Sequence, residues 1–86
     1  MIVNLLMKYL NIDDNKFAIV IKQKDKNSYT VTLRCKQNYN VANIAKKYGG
    51  GGHNQASGLA FTGSATNYIK MLVADCLNQI KEVENV

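Results

Sequence analysis

Four consecutive glycines, Gly49 to Gly52, interrupt this chain. They have no side chains to bury, so no packed core can be built from them. A run of this kind belongs at a helix end, in a linker, or where the backbone must approach something closely. Its neighbours narrow the choice. Before it, Asn40 can cap a short helix over Val41 to Tyr48, with Val41, Ile44, Ala45 and Tyr48 at helical spacing. Lys46 and Lys47 fall in the last turn, where cations suit the helix dipole. After it, residues 56–62, with the small residues Ala56, Ser57 and Gly58, return as a strand that tolerates close backbone approach. The run therefore reads as an ordered turn between a helix and a strand.

The remaining segments have clear periods. Residues 28–35 alternate, with Tyr29, Val31, Leu33 and Cys35 on one face and Ser28, Thr30, Thr32 and Arg34 on the other. Residues 16–23 place Phe17, Ile19 and Ile21 on one face and Ala18 and Val20 on the other, the mark of an interior strand. The polar stretch Lys24 to Asn27 should join the two as a hairpin. Ser64 can cap a long helix from Ala65 to about Val83, whose apolar stripe is Ile69, Leu72, Val73, Cys76, Ile80 and Val83. The first ten residues read as an amphipathic helix, with Ile2, Leu5, Leu6 and Tyr9 on one face. The expected order is helix, strand, strand, helix, strand, helix. That is an α/β fold in which helices cover a small mixed β-sheet.

Length allows one domain over residues 1–86 and excludes two. The net charge of +5 suits polyanions such as nucleic acid, nucleotides or acidic lipid, although scattered lysines also serve solubility. No stretch approaches the ~18 apolar residues of a membrane span, and no leader pattern is visible. A cytoplasmic protein is expected, with Cys35 and Cys76 as reduced thiols. No Cys-x-x-Cys pair is present, which excludes a zinc ribbon or thioredoxin-type motif.

Catalysis finds little support. His53 is the sole histidine, and Asp13, Asp14, Asp25, Asp75, Glu82 and Glu84 are the only acids; no motif places any of them beside it. A two-metal centre needs several converging Asp and His ligands. Pairing Cys35 or Cys76 with His53 has no motif behind it either. Binding is better supported. Consecutive glycine amides can form an anion nest, and His53 directly after them can hydrogen-bond a phosphate or stack on a base. Arg34, the one arginine, has a planar fork suited to phosphate.

The stretch Tyr48-Gly49-Gly50-Gly51-Gly52-His53-Asn54-Gln55-Ala56-Ser57-Gly58 resembles the signature of the DHH-associated domain. That is the C-terminal domain of DHH-family phosphoesterases, a group with RecJ-like exonucleases, oligoribonucleases and cyclic dinucleotide phosphodiesterases. Val31 to Lys36 is similar to the family's Ser-Leu-Arg-Ser-Lys strand, with Thr32 and Cys35 in place of the serines. Val41 to Tyr48 is similar to the helix before the glycines. The resemblance implies a substrate-binding half whose catalytic half, an Asp-His-His domain with manganese, lies outside these residues. No cofactor is then expected in this chain. Arg34, and less firmly Lys36, would hold substrate phosphate or base. Gly50, Gly51 and Gly52 would present backbone amides, and His53 would sit against the substrate in the cleft between domains. The implied partners are a short oligonucleotide or nucleotide phosphate and the DHH catalytic domain.

Other readings stand beside this one. The chain could be a complete small hydrolase. It could be a packing module that forms a homodimer, its glycine turn only shaping the backbone. It could also bind RNA as the related domain of alanyl-tRNA synthetase does, although the His-x-x-Ala-Ser-Gly continuation is more similar to the phosphoesterase branch.

Overall fold

A computed structural model of the chain describes residues 7–84. Five strands and two helices follow one another as β1 (Met7–Ile12), β2 (Phe17–Gln23), β3 (Ser28–Cys35), α1 (Val41–Lys47), β4 (Gly51–His53), β5 (Ala56–Thr62) and α2 (Ala65–Glu84). The strands form one sheet in the order β1-β2-β3-β5-β4, and every neighbouring pair is antiparallel. The α/β class holds, with an antiparallel sheet rather than a mixed one.

The alternating strands fold as their patterns dictate. In β2, Phe17, Ile19 and Ile21 are buried, and across the hairpin Ile19 and Ile21 face Leu33 and Val31 in β3. From β5, Leu59 and Phe61 join the same face. That face packs with Val41, Ile44 and Ala45 of α1 and with Leu72, Cys76 and Ile80 of α2. The stripe expected on α2 is thus the buried one, although Val83 at its end stays exposed. Among the described residues, no helix lies on the opposite face of the sheet. There Ala18 and Val20 are half-buried, and Thr32, Arg34 and Ala60 are exposed. β2 is interior in strand order, but only one of its faces is covered.

The described part of the expected N-terminal helix, from residue 7 on, is a strand. Residues 7–12 pair with β2 as an edge strand, Tyr9 opposite Val20 and Leu10 opposite Ile19. Ile2, Leu5 and Leu6 lie outside the described residues. The physical reason is the turn that follows. Asp13, Asp14 and Asn15 all take positive φ, a conformation that Asp and Asn tolerate better than other side chains. This tight reversal returns the chain antiparallel on Met7–Ile12, and the ladder with β2 outweighs the helical spacing of the apolar residues. No helix among the described residues is long and apolar enough to cross a membrane.

Candidate functional site

The glycine run is divided between two tasks. Gly49 has φ +84 and its N–H donates to the Lys46 carbonyl at 3.1 Å; the Gly50 N–H donates to the Ala45 carbonyl at 2.8 Å. Together they close the C-terminus of α1 in a Schellman arrangement, which requires a left-handed residue after the cap. The Gly50 N–H, expected to be presented to a ligand, is therefore engaged within the helix end. Gly51, Gly52 and His53 form β4, a three-residue edge strand paired with Gly58, Ser57 and Ala56.

Each glycine has its own reason, with one exception. A Cβ on Gly50 would lie 2.1 Å from the Gly58 carbonyl oxygen. One on Gly52 would meet the Ala56 carbonyl at 2.7 Å and Ser57 Oγ at 2.9 Å. At Gly51 a Cβ would meet nothing within 4 Å, and its φ lies outside the range that side chains avoid. Gly51 lies opposite Gly58, so the pair leaves bare backbone on the open face of the sheet.

Register brings the other residues to that face. Arg34 lies opposite Ala56, and Ala56 lies opposite His53. Directly opposed residues of an antiparallel pair point to the same side. Arg34 and His53 therefore share the open face, two strand spacings or roughly 10 Å apart at the backbone. Both are exposed, and neither side chain has a hydrogen-bond or ion-pair partner among the described residues. Lys36 is exposed one residue past the end of β3, where its N–H donates to the Lys16 carbonyl at 3.1 Å. The acids lie elsewhere. Asp13, Asp14 and Asp25 are in turns, and Asp75, Glu82 and Glu84 are on α2. Strand positions on the open face carry only positive charge, from Arg34 and Lys22.

The turn Asn54-Gln55 that joins β4 to β5 is tied down on several sides. The Asn54 carbonyl accepts from the Val41 N–H at 2.8 Å and from the Cys35 thiol at 3.3 Å. Its side-chain oxygen accepts from Asn40 Nδ2 at 3.1 Å, and the Gln55 carbonyl accepts from the Cys35 N–H at 3.2 Å. Cys35, standing where a serine was expected, thus makes a hydrogen bond of its own, and burial pushes its thiol above the ordinary range. Ser57 Oγ donates to the His53 carbonyl at 2.7 Å and is buried. Both cysteines are free. Among the described residues, no group of three or more His, Cys, Asp or Glu is placed to hold a metal ion, and His53 has no carboxylate beside it.

Residues 1–82 match the family model of the DHHA1 domain. The chain belongs to this family. It is the associated domain of DHH-family phosphoesterases, as the glycine–histidine motif implied. Two curated relatives agree. The chain is 41% identical over 78 residues to the bifunctional oligoribonuclease and PAP phosphatase NrnA of Mycoplasma genitalium, covering 91% of this chain and 23% of that protein. It is 41% identical over 70 residues to the NrnA of Mycoplasma pneumoniae, covering 81% of this chain and 21% of the relative. The DHHA1 domain described here thus spans less than a quarter of the relatives it matches.

Some residues of this DHHA1 domain have roles that the motif did not reveal. Ser57 and the Asn54-Gln55 turn fall inside the glycine–histidine motif, and they hold the backbone around His53. Tyr9 and Lys22 share the open face with Arg34, and Tyr9 is 62% exposed. Reading the first ten residues as a helix hid Tyr9 from that surface.

Proposed function

We propose that this DHHA1 domain grips the phosphates and bases of a short single strand of nucleic acid on the open face of its sheet, while a separate DHH domain hydrolyses the phosphodiester. The observation that carries the reading is the pair of unpartnered side chains, Arg34 and His53, on one face with the bare backbone of Gly51 and Gly58 beside them. The fold itself gives Gly51 no reason to be glycine, so close approach by something outside the domain is the reason that remains. Arg34 would supply charge-assisted hydrogen bonds to phosphate, and Gly51, Gly52 and His53 the backbone and ring contacts. Lys36 would add charge at the end of β3. Tyr9 lies in the row Tyr9–Val20–Thr32–Gly58–Gly51 and would give a base a ring to stack on.

The names of the relatives support short RNA and an adenosine bisphosphate as substrate classes. Manganese would belong to the DHH domain, and no step here runs through a metal. This reading places the protein in the cytoplasm with both thiols reduced.

The test is a titration of the isotope-labelled chain with a 5′-phosphorylated RNA trinucleotide, followed by NMR. Amide shifts should gather at Gly51, Gly52, His53 and Arg34. Changing His53 or Arg34 to Ala should each weaken binding about tenfold, the loss of one charge-assisted contact. Shifts that avoid these residues sink the assignment. A concentration-dependent dimer in light scattering, with nucleotide binding unchanged in His53→Ala, would favour the packing module.

A further inference from the structure

The far end of the sheet holds a second feature that this reading leaves unused. β4 pairs with β5 only as far as Gly58, so Leu59 to Thr62 have no strand on that edge among the described residues. A hollow of about 680 Å³ wraps this unpaired edge. Its size falls within the roughly 300–1,000 Å³ of small-molecule sites. Aromatic rings build one wall. Tyr29 and Phe61 lie opposite each other on β3 and β5 and stack at 4.9 Å, and Tyr68 from α2 stacks on Phe61 at 4.0 Å. Tyr48 leans against Tyr68 at 59° and 6.1 Å. The rim carries Lys24 and Lys47.

Most polar side chains here are not used by the fold. Ser28, Tyr29, Thr62 and Tyr68 line the hollow, and their hydroxyls have no hydrogen-bond partner among the described residues; nor does the ammonium of Lys24. Only the Tyr48 hydroxyl and the Lys47 ammonium are engaged, both by Asp75. The unpaired edge of β5 adds backbone donors and acceptors. Rings to stack on, an edge that can read a heterocycle by hydrogen bonds, hydroxyls for a sugar and a cation for an anion together describe one ligand chemistry.

We propose that this hollow is a second binding site, for a nucleoside monophosphate. The base packs on the tyrosine rings and meets the free edge of β5, and the phosphate faces Lys24. The site lies at the other end of β5 from Ala56, four to six residues or roughly 13–20 Å along the strand, and shares no residue with the Arg34–His53 surface. It does not depend on the function proposed for that surface. If that function holds, hydrolysis of a short RNA releases this class of molecule, and the domain would hold product away from the substrate.

AMP, adenosine and inorganic phosphate, each titrated into the labelled chain, test the idea. AMP should shift the amides of Tyr29, Ala60, Phe61 and Thr62, equally in the wild-type chain and in His53→Ala. Lys24→Glu, an exposed change that leaves the fold intact, should weaken AMP about fivefold and leave adenosine binding unchanged. Tyr68→Phe keeps the stacked ring and should weaken both ligands. AMP shifts confined to Gly51–His53 and Arg34, an equal response to inorganic phosphate alone, or no response up to about 10 mM AMP would each overturn the proposal. The trinucleotide is read at His53 and AMP at Thr62, so either site can fail without the other.

Discussion

Gly50 and Gly51 are neighbours of one residue type with opposite demands. An alanine at 50 would drive its Cβ into the Gly58 backbone at 2.1 Å, which no rotamer can relieve. Gly50→Ala should cost roughly 3 kcal/mol, at the upper end of overpacking effects. Gly51→Ala places its methyl in open space and should leave stability within about 0.5 kcal/mol of wild type. It should nevertheless weaken the RNA trinucleotide. Urea unfolding and the NMR titration, run on both variants, separate the two roles; equal destabilisation by both would refute the division. The sequence singled out one loop and two side chains, the sole histidine and the sole arginine, and the sheet register brings them to one face. It did not mark which glycine does what. A glycine excluded by contact and one excluded by nothing look the same in a string of letters.

Elements with a strong period were legible and those without were not. β2, β3, β5, α1 and α2 follow their patterns to within a residue or so, because alternation or helical spacing coincides with burial there. β4 has three residues, two of them glycine, and so no period to read. β1 was misread because its tertiary partner, β2, overrode a local spacing that fits a helix. The link between α1 and α2 was equally hidden. Gln79 of α2 grips the backbone of Asn40, accepting from its N–H at 2.7 Å and donating to its carbonyl at 2.8 Å. Asn40 in turn caps α1 through the Asn43 N–H and donates to Asn54 of the turn after His53. Gln79→Ala removes two part-buried hydrogen bonds and should cost roughly 1–3 kcal/mol. It should also perturb the amides of Asn54 and His53, although Gln79 is on the helical side of the sheet. Thermal melts with an amide spectrum check both, and an unmoved His53 would show that the cap does not steady the site.

At the scale of the whole molecule, the helical side holds two acids of strongly raised pKa, the Cys76 thiol and the Tyr48 phenol. Burial pushes the Cys76 thiol up to about 12 from its ordinary 9.0. Burial and the hydrogen bond to Asp75 raise the Tyr48 phenol as well. Both are acids kept neutral by the fold. Their contribution is complete below the unfolded value, near pH 9 for the thiol, and is lost as pH rises towards 12, because the unfolded chain gives up protons that the folded chain retains. Stability should be flat from pH 7 to 9 and then fall, by at most about 1.4 kcal/mol per pH unit for each group. Urea unfolding at a series of pH values checks it. Cys76→Ala lowers stability throughout but should make the alkaline slope shallower, and an unchanged slope would remove the thiol from the account.

Because the Gly50 amide closes α1 one residue before β4 begins, the helix terminus and the edge proposed to meet RNA share a stretch of backbone. Fraying of the helix and lifting of β4 are then one opening event rather than two. An RNA strand held at Gly51 and His53 should slow hydrogen–deuterium exchange at the Gly49 and Gly50 amides, whose acceptors lie in the last turn of a helix the ligand never touches.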